Sequence, residues 1–146
     1  MTHIREIVEQ DIAPISNLYV SVFNEPPWDE EWQTEWAKDR LTGIYNSPGF
    51  YGLLHEDSDK PIASVLGRSL TFKSWKEFEI VELFVNPKYQ GNGIGSELVM
   101  QLEFHLKQNG YFKATLLTAR DAQVEKFYSN RGFKTSNRMI YMSHEL

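Results

Sequence analysis

The run Gln90-Gly91-Asn92-Gly93-Ile94-Gly95 is where this sequence could hold a ligand. Glycines let backbone N–H groups approach a bound molecule closely. The first turn of a helix leaves donors unpaired and carries partial positive charge, so a glycine-rich turn that opens a helix favours a phosphate. Helical spacing starts inside the run: Ile94, Leu98, Val99, Leu102 and Leu106 share one side of a helix over Gly93 to Gln108, and Asn109-Gly110 ends it. Two phosphate-binding patterns do not fit. A Walker loop needs Lys and Ser/Thr after its last glycine, where this chain has Ser96 and Glu97. A dinucleotide fingerprint starting at Gly91 wants Gly or Ala at 96 and should follow its strand directly, whereas Asn86-Pro87-Lys88-Tyr89 intervenes.

The run resembles the Gln/Arg-x-x-Gly-x-Gly/Ala loop by which enzymes of the GNAT family of N-acetyltransferases hold the pyrophosphate of acetyl-CoA. Glu82-Leu83-Phe84-Val85-Asn86-Pro87 is similar to that family's approach to the loop, and Phe127-Tyr128-Ser129-Asn130-Arg131-Gly132-Phe133 to its Tyr-x-x-x-Gly-Phe signature. One departure stands out: Asp121 and Val124 occupy positions where the family often has Asn and Ala, and Asp121 is therefore not assigned to the cofactor. The resemblance implies one α+β domain over residues 1–146, with a mixed, mostly antiparallel sheet flanked by helices and splayed between its fourth and fifth strands. It further implies acetyl-CoA as co-substrate, held by Gln90, Gly91, Asn92, Gly93, Ile94, Gly95 and Ser96. The pantetheine arm would lie in the splay, with the backbone of Phe84 or Val85 supplying the oxyanion donor.

Acetyl transfer to an amine requires a base, because an alkylammonium with a pKa of roughly 10 is almost fully charged at neutral pH. On the strand Glu77 to Val85, simple alternation puts Ile80, Glu82 and Phe84 on one face, barring a bulge. Glu82 between apolar neighbours would be partly desolvated and its pKa raised. The family frequently has a basic glutamate at this strand position, which makes Glu82 the expected general base. A structural ion-pair network is the competing role. Tyr128 matches the family's tyrosine beside the leaving thiolate, with core packing as its alternative. No metal site is expected: His3, His55, His105 and His144 are scattered, and neither His-x-x-His nor His-Glu-x-x-His occurs. There is no Gly-x-Ser-x-Gly, and no cysteine to serve as nucleophile, disulfide or thiolate ligand.

These groups need a scaffold, and 146 residues with 41% apolar content suit one domain with one core. A first strand reads over 3–8. Asp11 can cap a helix carrying Ile15, Leu18, Tyr19, Val22 and Phe23. Asp29 can cap a second helix carrying Trp32, Trp36, Leu41 and Ile44. A three-strand meander follows over 50–55, 61–73 and 77–85, then the helix after the glycine run, a strand at 112–118 and a helix at 121–130. Two last strands are expected, one entered from Gly132-Phe133 and one over Met139 to His144.

The net charge of −5 argues against a general nucleic-acid binder. It is divided unevenly: residues 1–60 hold 12 acids and 4 bases, and residues 61–146 hold 8 acids and 11 bases. The first part suits a cation and the second a phosphate. Between the first two helices, Glu25-Pro26-Pro27-Trp28-Asp29-Glu30-Glu31-Trp32 mixes aromatic faces with carboxylates, which attract ammonium groups. The expected acceptor is a cationic amine such as a polyamine, an aminoglycoside-like amine or a lysine side chain, with Trp32 and Trp36 packed and Trp28 in contact. A protein lysine or N-terminal acetyltransferase and a non-catalytic acyl-CoA-binding sensor are the alternatives. With no apolar run of ~18 residues and no signal-peptide pattern, a soluble cytoplasmic protein is expected, and a homodimer is left open.

Overall fold

The computed structural model describes residues 1–146. Strand β1 (Thr2–Glu6) is followed by helices α1 (Ile12–Phe23) and α2 (Thr34–Tyr45), strands β2 (Tyr51–Asp57), β3 (Lys60–Phe72) and β4 (Trp75–Val85), helix α3 (Ile94–Gln108), strand β5 (Tyr111–Leu116) and helix α4 (Ala122–Asn130). The five strands lie in chain order. The first four are antiparallel and β5 runs parallel to β4, as a crossover through α3 requires.

The sheet is covered on both faces. Adjacent residues of β2 and β3 point to opposite sides, so Leu54 and Leu66 join Ile15, Tyr19, Leu41 and Phe84 under α1 and α2, while Leu53, Val65, Phe78 and Ile80 pack under Leu98, Leu102 and Leu106 of α3. Strand β4 serves both layers by changing phase. Leu66 pairs with Glu82 but Gly67 pairs with Ile80, leaving Val81 as the extra residue of a β-bulge. Phe78 and Ile80 therefore face α3, whereas Glu82 and Phe84 face α1 and α2. Simple alternation along β4 is thus corrected: Ile80 and Glu82 do not share a face. Gly67 is what lets the strands approach at the bulge, because a Cβ there would stand 2.2 Å from the Glu79 carbonyl oxygen.

Strand β5 pairs with β4 only as far as Ile80 opposite Leu116, while β4 continues to Val85. Beyond that point the two strands part, and one edge of residues 81–85 faces an open split.

Several sequence expectations are corrected at the margins. Helix α2 starts at Thr34 rather than after Asp29, whose backbone is left-handed (φ 47°), so Trp32 precedes the helix. Trp32 does pack, edge-on to Tyr19 with ring centroids 5.0 Å apart, but Trp36 is exposed. Asp11 stands before α1 without capping it, because its carboxylate receives Arg5 and the Val8 N–H instead. Neither of the two last strands forms, and residues 134–146 carry no regular structure. No helix is long and apolar enough to cross a membrane.

Candidate active site

At the split, Glu82 lies beneath α1 and α2 with only 8% of its surface exposed. Its Oε1 accepts from Arg40 Nη2 at 2.9 Å, from Arg40 Nε at 3.0 Å and from the Tyr19 hydroxyl at 3.4 Å. All three bonds fall on one oxygen, so the lone pairs of Oε2 stay available to a further donor. Tyr19 is boxed by aromatic neighbours: Phe23, Trp32 and Phe84 lie with ring centroids 4.5, 5.0 and 5.3 Å away. This apolar enclosure desolvates the carboxylate and raises its pKa, and the Glu30 charge adds to the rise. Arg40 pulls the other way. Because Arg40 is 43% exposed and Glu82 almost enclosed, the carboxylate loses more to desolvation than it recovers from the pair, and holds its proton more readily than an ordinary glutamate. Helical spacing marked Tyr19 only as part of an apolar face, and no sequence pattern marked Arg40. The pair joins residues 42 positions apart, and only the folding of α2 over β4 brings it together.

Burial pushes the Tyr128 hydroxyl up to about 12, and the charge of Glu82 adds to the rise. The motif around it has a local cause. Gly132 takes a left-handed backbone (φ 94°), the Phe133 N–H donates to the Tyr128 carbonyl at 3.0 Å and the Gly132 N–H to the Ser129 carbonyl at 3.1 Å. This is a Schellman helix end, and the rings of Phe133 and Tyr128, with centroids 5.5 Å apart, make the apolar contact that accompanies it. Tyr-x-x-x-Gly-Phe therefore fixes how α4 stops and how Tyr128 is held. At the other end of α4, Asp121 accepts from the Gln123 and Val124 N–H groups at 2.9 and 3.1 Å. The departure at 121 is a helix cap.

The glycine run turns the chain from β4 into α3. Gly91 (φ 83°) and Gly93 (φ 78°) are left-handed, and no atom lies within 4 Å of where a Cβ would stand on either. The first N–H group of α3 bonded within this turn is that of Glu97, to the Gly93 carbonyl at 2.9 Å, so those of Ile94, Gly95 and Ser96 start the helix without a helical acceptor. Gly95 is needed for a close approach, since a Cβ there would stand 3.3 Å from the Phe127 ring. Two side chains stitch the loop. The Gln90 amide donates to the Val85 carbonyl at 3.1 Å, and the Asn92 amide to the Tyr89 carbonyl at 3.0 Å. Tyr89 anchors it to the β2–β3 turn through Asp57 at 2.8 Å. An open, glycine-lined turn with three free donors at a 15-residue helix fits a diphosphate, and the unpaired edge of residues 81–85, with the Phe84 and Val85 backbone, fits an extended amide chain.

Beside Glu82 a cavity of about 540 Å³ opens between α2 and β4, lined by Asp39, Arg40, Arg68, Glu79, Val81 and Leu117 among others. Arg40 pairs with Glu82 and Arg68 with Glu79 at 3.0 Å, while Asp39 has no cation within bonding distance. No group of three His, Cys, Asp or Glu side chains is placed to hold a metal ion.

The family model described as the acetyltransferase (GNAT) family matches residues 12–133. The chain belongs to the GNAT family. Its fold is shared with an aminoglycoside acetyltransferase from an uncultured soil metagenomic sample in complex with sisomicin, at 16% identity and a TM-score of 0.78 over 99% of this chain and 96% of that one. It is shared also with glucosamine-6-phosphate N-acetyltransferase from Arabidopsis thaliana, at 20% identity and a TM-score of 0.70 over 99% and 98% of the two chains. An aminoglycoside N-acetyltransferase in complex with CoA aligns at 12% identity with a TM-score of 0.78 over 100% and 96%. Among curated proteins none matches the sequence.

Proposed function

We propose that this GNAT protein transfers the acetyl group of acetyl-CoA directly to the primary amine of a cationic small molecule, with Glu82 as general base and Tyr128 beside the departing sulfur. The observation that carries the reading is the enclosed carboxylate of Glu82 at the mouth of the β4–β5 split, bonded through one oxygen and free at the other. Acetyl-CoA supplies the activated acyl carbon. The chain supplies position and proton handling: the donors of residues 94–96 hold phosphate, the β4 edge aligns the arm, and the backbone of Phe84 or Val85 offers an N–H to the carbonyl oxygen. Glu82 Oε2 takes the proton of the incoming ammonium, directly or through one water. A carboxylate made more basic by desolvation suits that task. The Tyr128 hydroxyl, weakly acidic, hydrogen-bonds or protonates the sulfur.

The acceptor class follows from the cavity charges. The lining charges balance, Arg40 and Arg68 against Asp39 and Glu79, and the carboxylate of Glu82 paired with Arg40 adds one negative charge beside the cavity. Trp28, tilted against Phe23 with ring centroids 5.6 Å apart, and Glu30, which accepts from the Trp32 indole, add aromatic and acidic surface nearby. Release of CoA thiol at saturating acetyl-CoA across polyamines, aminoglycosides, amino acids and lysine peptides tests the reading. Release confined to polycationic amines is expected, and Asp39→Asn should raise their apparent KM about tenfold with little change in kcat. Release only with neutral or anionic acceptors would refute the acceptor class, and no release with any amine would refute the enzyme.

A further inference from the structure

A second cavity, of about 250 Å³, opens at an end of the sheet, beside the last residue of β1 and the first of β2. It is lined by Glu6, Ile7, Tyr45, Phe50, Tyr51 and Gly52 and shares no residue with the acceptor cavity. Because the strands stop here, residues of both layers meet around one opening: Ile7 and Phe50 pack with α1 and α2, and Tyr51 packs with α3. Gly52 pairs with Leu66 and Leu66 with Glu82, so two strand spacings, roughly 10 Å, separate this place from the proposed base.

The lining is aromatic and carries one charge. Tyr45 and Phe50 lie tilted against each other with ring centroids 4.9 Å apart. Tyr51 lies flat on the imidazole of His105, with centroids 3.5 Å apart and planes within 7°, which fixes its ring. Gly52 makes room for the wall, since a Cβ there would stand 2.8 Å from the Phe50 ring and 2.7 Å from the Ile7 side chain. Glu6 is the charged member, and its carboxylate has no cation within bonding distance. The neighbouring Arg5 is committed to Asp11 and Glu56 and gives Glu6 only a bond to its backbone carbonyl at 3.2 Å.

These groups select among ligands. An anion meets the Glu6 carboxylate with nothing to neutralise it. A hard metal ion wants six or more oxygen ligands, where one carboxylate is offered. A neutral apolar molecule would take water from that carboxylate and return no partner. An organic ammonium ion satisfies both surfaces, its charge against the carboxylate and its alkyl groups against the negative faces of the rings. At about 250 Å³ the cavity falls below the roughly 300–1,000 Å³ that encloses a whole small-molecule ligand, so it suits a head group whose remainder stays in solvent. We propose that this cavity is a second cation site, apart from the acceptor cavity, which binds an alkylammonium head group with Glu6 as counter-ion and Tyr45, Phe50 and Tyr51 as aromatic walls.

Tetramethylammonium, which cannot be acetylated, is the probe, and tert-butanol is its neutral counterpart. The chain is prepared with isotope-labelled tyrosine rings, and the resonances of Tyr45 and Tyr51 are identified by Tyr45→Phe and Tyr51→Phe. Titration at constant ionic strength should move both resonances saturably with tetramethylammonium and leave them in place with tert-butanol. Glu6→Gln and Tyr45→Leu should each weaken binding about tenfold. Asp39→Asn, in the acceptor cavity, should leave it unchanged. Glu6 is exposed and Tyr45 half-buried, so neither substitution opens the core, and far-UV circular dichroism with a thermal melt checks that each variant folds. Resonances that stay in place throughout the titration, equal movement with tert-butanol, an affinity indifferent to Glu6→Gln, or movement abolished by Asp39→Asn would each overturn the proposal.

Discussion

The proposed reactivity of Glu82 and its cost to the fold lie in the same atoms. Its folded pKa is raised, so the stability contributed by the protonated form is complete below the unfolded value of about 4.3 and is lost as pH rises through the folded value. Glutamine imitates the protonated state. Glu82→Gln should therefore lower kcat about 100-fold or more while its melting temperature at pH 7 equals or exceeds that of the parent, because Arg40 is exposed enough to resolvate when its partner's charge is removed. A kcat near wild type would return Glu82 to a structural role. Arg40 tunes the same group. Removing its charge in Arg40→Met should carry the acid limb of kcat/KM to higher pH, which a pH–rate profile reads directly. A limb that stays in place would mean that another base sets it.

At the scale of elements, β4 does most to define the site, and its bulge depends on a neighbour. Gly67→Ala forces a Cβ into the Glu79 carbonyl and the Phe78 ring, so backbone must move at the point where β4 changes phase. A loss of about 1–3 kcal/mol is expected by chemical denaturation. Activity per folded molecule should fall with it, since Glu82 is re-aimed; a destabilised variant with unaltered turnover would show that the bulge does not position the carboxylate. The sequence displayed the glycine run, the α3 periodicity and the Gly-Phe end of α4, because each is written in contiguous residues with one conformational meaning. It could not display the phase change. A bulge at Val81 leaves an apolar residue in an apolar strand, and its cause, Gly67 on the neighbouring strand, is 14 positions away in sequence. Asp29 misled for a similar reason, since a helix cap and a left-handed loop residue favour the same side chain.

For the molecule as a whole, the first strand is locked by charge. Arg5 on β1 donates to Asp11 before α1 at 2.8 Å through both terminal nitrogens, and to Glu56 on β2 at 2.7 Å through Nε. The hydrogen bonds from Arg5, aided by the Val8 N–H, outweigh burial and hold Asp11 below the usual carboxylate range. Its contribution is therefore present above the unfolded pKa of about 3.9 and is lost as pH falls through the folded value. Asp11→Asn should cost about 1–2 kcal/mol at pH 7 and flatten the dependence of melting temperature on pH below 4. An unchanged acid slope would assign that slope to other carboxylates. The assembly of the sheet was legible up to β5 and not beyond it. Met139, Ile140, Tyr141 and Met142 are an unbroken apolar run whose composition favours a strand, yet none forms there.

The bulge at Val81 also sets a reading frame for side chains. Upstream of it, even-numbered positions of β4 look toward α3; downstream, they look toward α1 and α2. A substitution changes one word in that frame, and deleting Val81 would make Ile80 and Glu82 neighbours in plain alternation, with the other side chains of β4 kept on their present faces. Deleting Leu83 instead would turn Phe84 toward α3 and Val85 toward α1 and α2. Beyond the bulge, the length of the strand decides the face of each side chain as much as its composition does.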